Sequence, residues 1–153
     1  VTVIIKDTPF NPYQDLQEYE ETKLTKNNAI GASNIFIGTM RDFNEGDHVK
    51  LMSLEHYPGM TEKQLNKIIA AANQQWALID ILIIHRVGDI LPNEPIVLVS
   101  AWSSHRGDAF DACRFIMENL KSKAPFWKKE RLINEQERWV ISNTKGYLTT
   151  KNY

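Results

Sequence analysis

The chain has 153 residues, 42% of them hydrophobic and 24% charged, with a formal net charge of −1. That describes one folding unit, and it excludes both a disordered chain and a global basic field drawn to nucleic acid or anionic lipid. A single cysteine, Cys113, excludes an internal disulfide and a thiolate zinc cage.

In chain order, Val1–Ile5 is short and β-branched and reads as a strand. Lys6 and Asp7 interrupt that apolar stretch before it reaches the length of a secretory signal, and no later run approaches the ~20 residues that cross a bilayer. A cytoplasmic protein without membrane contact is expected, with residues 1–153 forming a single domain. Pro12–Lys23 suits a short polar helix with proline in its first turn. Ala29–Met40 suits a buried strand whose glycines, Gly31 and Gly38, mark bulges or close backbone approach. A polar loop, Arg41–Asp47, and a strand, Val49–Tyr57, come next. Thr61 and Gln64 match a capping box, and Leu65, Ile68, Ile69, Ala72 and Trp76 recur at helical spacing. Ile79–Val87 and Pro95–Trp102 read as adjacent antiparallel strands across a Pro92–Pro95 turn. A second helix spans His105–Lys121, capped by Ser103 or Ser104, with Ala109, Cys113, Ile116, Met117 and Leu120 as its buried stripe. Pro125 bars its continuation, and Phe126–Ile133 with Arg138–Ser142 form a last hairpin. Strands interleaved with two or three helices indicate an α+β sandwich rather than a doubly wound sheet.

Chemistry concentrates in Asn119–Arg131, where Lys121, Lys123, Lys128, Lys129 and Arg131 face only Glu130. A lysine held against the apolar Ala124–Trp127 wall loses hydration, which weakens its protonated form and makes the amine a better base or nucleophile. A solvated basic helix end accounts for the same charges, because cations complement a helix C-terminus. Ser103–Arg106, at a strand-to-helix junction, offers N–H groups and a guanidinium to an anion, or else merely caps the helix. Arg41, just past a buried strand, either binds an anion or pairs with Asp42. His48, His56 and His85 lack metal-site spacing, so no metal and no other cofactor is expected; His56 and His85 read as satisfied sheet residues, and Cys113 as a small core hydrophobe.

Six ordered blocks resemble one family, the catalytic (large) subunits of molybdopterin synthase. They are GTMRD at 38–42, LEHYPGM at 54–60, IIHRVGD at 83–89, SSHRGDAF at 103–110, LKSKAPFWKKE at 120–130 and RW at 138–139. The resemblance implies an α/β hammerhead with an additional antiparallel β subdomain. It also implies a homodimer that takes a small ubiquitin-like sulfur-carrier subunit at each end, a heterotetramer. In such an enzyme the carrier's Gly-Gly C-terminus, charged as a thiocarboxylate, gives sulfur to cyclic pyranopterin monophosphate and forms the dithiolene of molybdopterin. By the same resemblance Lys121 is the essential lysine and Lys128 the second pocket lysine, with Lys129 and Glu130 in the substrate-contact stretch. Arg41, flanked by Thr39 and Met40, is the substrate-binding arginine, joined by His105 and Arg106, with groups from both protomers able to contribute. Gln136-Glu137 stands where the family often carries Gly-Asp.

Two readings from other classes compete. One is an adaptor whose basic groove binds an acidic tail without turnover. The other is a single-strand nucleic-acid binder using Phe126, Trp127 and the lysines, which the near-zero net charge disfavours.

Overall fold

The structure, a computed structural model, describes residues 1–140. Ser142 and the polar tail after it, expected as the end of the last strand and beyond, lie outside the described residues. The elements are β1 (Thr2–Lys6), α1 (Pro12–Tyr19) with a π-helical turn (Glu20–Leu24), β2 (Ala32–Thr39), β3 (Phe43–Asn44), β4 (Asp47–His56) and α2 (Met60–Gln75). They continue as β5 (Leu78–Arg86), β6 (Gly88–Ile90), β7 (Pro95–Ser103), α3 (Arg106–Lys123), β8 (Phe126–Leu132) and β9 (Glu137–Val140).

Two sheets organise the chain. The first has the order β1-β5-β7-β2, with β1 parallel to β5 and the other pairs antiparallel. Its central strands are apolar on both faces because both are covered. Ile81, Ile83, Val97 and Val99 pack under Leu65, Ile69 and Ala72 of α2 and Ala112, Cys113 and Ile116 of α3. Leu82, Ile84, Leu98 and Trp102 point the other way, against Phe10 and Tyr19. The second sheet runs β3-β4-β8-β9, with β6 also paired to β4. Its separate core comprises Met40, Val49, Met52, Leu54, Ile90 and Leu132. This is the expected α+β architecture with an added antiparallel β subdomain.

Helix boundaries differ from expectation where local chemistry competes. Thr61 is not the cap of α2 but lies inside its first turn, fully buried. Its hydroxyl accepts from the Tyr57 N–H at 3.1 Å and donates to the Pro125 carbonyl at 3.3 Å. Gly59, at φ 81°, occupies the cap position, and its N–H donates to Glu62 at 2.6 Å. A side chain at that φ is strained, which explains glycine there. At α3 neither serine caps by the expected route. Ser103 accepts from the His105 N–H at 3.2 Å and donates to the Ala77 carbonyl, whereas Ser104 donates to the Ala29 carbonyl. Gly31 precedes β2 rather than lying in it, and a Cβ there would stand 2.2 Å from the Ser104 carbonyl oxygen. The backbones touch, so only glycine fits.

Candidate active site

Helix α3 carries Lys121 in its last turn and stops because Ala124, restricted by the following proline, adopts an extended ψ of 136°. The chain turns at Pro125 and returns as β8, paired with β4 so that Leu54 faces Lys128 and Met52 faces Glu130. Strand alternation then sorts the basic segment. Phe126, Lys128, Glu130 and Leu132 share one face, and Trp127, Lys129 and Arg131 share the other. The Lys121 end of α3, the end of β2 and the inner face of β8 surround a cavity of about 130 Å³. Its walls are mostly apolar, including Phe36, Leu54, Ile96, Met117 and Phe126; its polar side chains are Thr39, His85, Lys121 and Lys128.

A broader hollow of about 720 Å³ adjoins it between β2 and α3, bordered by Arg41, Phe110, Arg114 and Glu118. Phe36, Gly38, Thr39, Met117 and Lys121 line both spaces, so Lys121 stands at their junction. Burial pushes the Lys128 ammonium below its ordinary value; the charges of Lys121 and Arg41 act in the same direction, and Glu130 and Glu45 oppose them. Arg41 and, from a distant part of the sequence, Lys121 and Lys128 therefore share one electrostatic field, where an entering anion relieves their mutual repulsion.

The remaining expected site residues lie elsewhere. Met40 is buried in the core of the second sheet, its N–H bonded to the Glu94 carbonyl at 2.9 Å. Lys129 faces away from the cavity, paired with Glu137 at 2.8 Å and over the Trp139 ring. Glu130 is 3% exposed and accepts from Asn44 at 2.7 Å and from the Arg138 Nε at 3.1 Å. It holds β8 to β9 and to the β3–β4 turn and lines neither cavity. His105, the cap of α3, and Arg106, its first residue, are exposed; Arg106 is fifteen residues from Lys121, or about 22 Å at the helical rise, and His105 is one residue further. One protomer does not bring them to the lysines.

The sequence reads His85 as a satisfied sheet residue. It is buried and bonded as expected, but its ring is also part of the cavity wall, stacked on Phe126 with centroids 3.9 Å apart. Phe36, to which the sequence gives no role, and Met117, expected only in the buried stripe of α3, line the same cavity. The apolar pattern around these three does not separate cavity wall from core: Met117 belongs to a helical stripe, and His85 to the IIHRVGD block, which carries the resemblance but no site role.

A family model described as MoaE protein matches residues 7–123. The chain belongs to the MoaE family. It is 60% identical over 111 residues to a molybdopterin synthase catalytic subunit of Ralstonia nicotianae, covering 72% of this chain and 62% of that one. To the Pseudomonas aeruginosa protein of the same name it is 49% identical over 140 residues, covering 92% and 90%. A solved molybdopterin biosynthesis MoaE protein from Burkholderia ambifaria superposes with a TM-score of 0.76 at 43% identity, covering 95% of this chain and 93% of that one. The α+β fold with its second sheet is thus that of MoaE structures. Among the described residues, no cluster of His, Cys, Asp or Glu suited to a metal ion is present, and no helix is long and apolar enough to cross a membrane.

Proposed function

We propose that this chain is the catalytic subunit of a molybdopterin synthase, moving sulfur from the thiocarboxylate of a small carrier protein to cyclic pyranopterin monophosphate. The observation that carries the reading is the position of Lys121 where a narrow, apolar-walled cavity meets a broad one bordered by Arg41. A slender glycine-glycine tail suits the first space, and a phosphorylated ring system suits the second. Both reactants are anionic, so a site built from lysine and arginine attracts each of them and stabilises the charge that passes between them.

In this reading Lys128, partly desolvated and repelled by its cationic neighbours, orients the thiocarboxylate. Its sulfur attacks a side-chain carbon of the pterin as that carbon's bond to oxygen breaks, the oxygen leaving with a proton or on phosphate; water then hydrolyses the acyl–sulfur bond, so the sulfur stays on the pterin as a thiolate and the carrier departs as a carboxylate. Lys121 acts at the junction as general acid/base, or stabilises the negative charge as the acyl group departs. Thr39 and Arg41 contact the pterin phosphate, and His105 and Arg106 reach it from a second copy of the chain, since the span of α3 separates them from Lys121 of their own. A homodimer carrying one small subunit per protomer, working in the cytoplasm, belongs to the same proposal.

The test is reconstitution with thiocarboxylated carrier and the pterin substrate. Lys121→Ala is expected to abolish dithiolene product and to leave carrier binding intact. Near-normal turnover by that variant would reject the role of Lys121, and tight carrier binding by the wild type without conversion would favour a non-enzymatic adaptor.

A further inference from the structure

The polar lining of the narrow cavity has one feature that anion attraction does not require, the uncharged ring of His85. It is 5% exposed, flanked by Ile84 and Arg86 on β5, and packed face to face on Phe126 with an interplanar angle of 13°. Its Nδ1 lies 2.8 Å from the Arg86 carbonyl oxygen. A carbonyl only accepts, so Nδ1 carries the proton and Nε2 keeps a lone pair. Rotation of the ring would cost both the stack and that hydrogen bond. The tautomer and the ring plane are therefore set by the backbone of β5 and the first residue of β8.

We infer that His85 is a positioning residue of the sulfur-transfer site, its Nε2 serving as a fixed, neutral hydrogen-bond acceptor that aims the Lys121 ammonium toward the junction of the two cavities. The inference rests on the function proposed above. Lys121 and His85 line the same small cavity, close enough for the Lys121 charge to act on the ring, and a fixed acceptor beside a lysine with four rotatable bonds in its side chain narrows the directions its ammonium takes. A carboxylate in that place would neutralise the cluster and compete with the incoming anion, whereas an uncharged imidazole orients the amine and leaves the attraction intact. The groups facing the ring favour the neutral state. Lys121 of α3 and His56 of β4 both disfavour an imidazolium, Lys128 on β8 adds positive charge to the same cavity, and burial pushes the ring down to about 4.

Two substitutions separate this role from packing. His85→Phe keeps a ring against Phe126 and removes the acceptor, and His85→Gln keeps an acceptor without the ring. With thiocarboxylated carrier and pterin substrate, the phenylalanine variant is expected to lose about tenfold in kcat while KM for the carrier stays within about twofold, and the glutamine variant to recover part of that loss. Nitrogen-15 spectra of the wild-type histidine ring are expected to show a protonated Nδ1 and a bare Nε2. A proton on Nε2, or unchanged kcat in a folded His85→Phe protein, would overturn the inference. So would a glutamine variant that recovers nothing while its circular dichroism matches the wild type. Failure of the wild type to turn over would instead reject the proposed function, and the ring spectrum would still report the tautomer.

Discussion

The buried state of His85 makes a specific demand on stability as acid is added. Its ring is neutral in the folded protein because desolvation holds it down to about 4, against an ordinary value of 6.5. In the unfolded chain the ring takes a proton as the pH drops through 6.5, and the folded protein takes it only near pH 4. The unfolded state thus binds more protons throughout that window, and stability must fall as pH falls across it. At roughly 1.4 kcal/mol per pH unit, the gap corresponds to about 3 kcal/mol, most of it lost by pH 4.5. That is a large share of the ~5–15 kcal/mol typical of a domain. Carboxyls held low in the folded state, such as Glu135 bonded to Lys50 and Glu137 bonded to Lys129 and Arg131, are common to the wild type and His85→Phe and cancel when the two pH slopes are compared. Urea unfolding from pH 7.5 to 4.5 measures the effect, with the slope against urea checked for constancy. The wild type is expected to lose about 2–3 kcal/mol and His85→Phe much less. A wild-type loss under about 1 kcal/mol, or the same pH slope in His85→Phe, would refute the reasoning.

Lys128→Ala is expected to cut turnover by about tenfold or more and Lys129→Ala by less than about twofold, because alternation along β8 aims only the first at the cavity; equal losses in steady-state assays would contradict that division. Gly31→Ala brings a Cβ to 2.2 Å from the Ser104 carbonyl oxygen, a backbone atom with little freedom to yield. A loss of about 2–3 kcal/mol in urea unfolding is expected, and a change within 0.5 kcal/mol of zero, roughly the surface-substitution range, would show that the close approach is absent. Thr61→Val keeps the side-chain shape but strands the Tyr57 N–H and the Pro125 carbonyl. It should cost about 1–3 kcal/mol, and it should also lower turnover, since Pro125 sets the turn between the two site lysines; an unchanged melting curve would sink the first expectation.

Local chemistry in the sequence determined much of this protein. Period-3.6 stripes located α2 and α3, β-branched runs located β5 and β7, and Pro125 stopped α3, because each of these signals acts over a few residues. The same is true of the dense charge around Lys121 and Lys128, and the motif blocks identified the family. Which charges meet was decided only by the tertiary structure. Pairing of β8 with β4 put Lys128 inside, turned Lys129 out and enlisted Glu130 to hold Arg138. The straight span of α3 kept His105 and Arg106 away from Lys121. The approach of β5 to β8 made a wall of His85, which its place in the sequence marks only as part of a strand. Convergence of this kind depends on which strands pair and in what register. Those choices come from burying apolar faces across the whole chain, so no window of the sequence contains them.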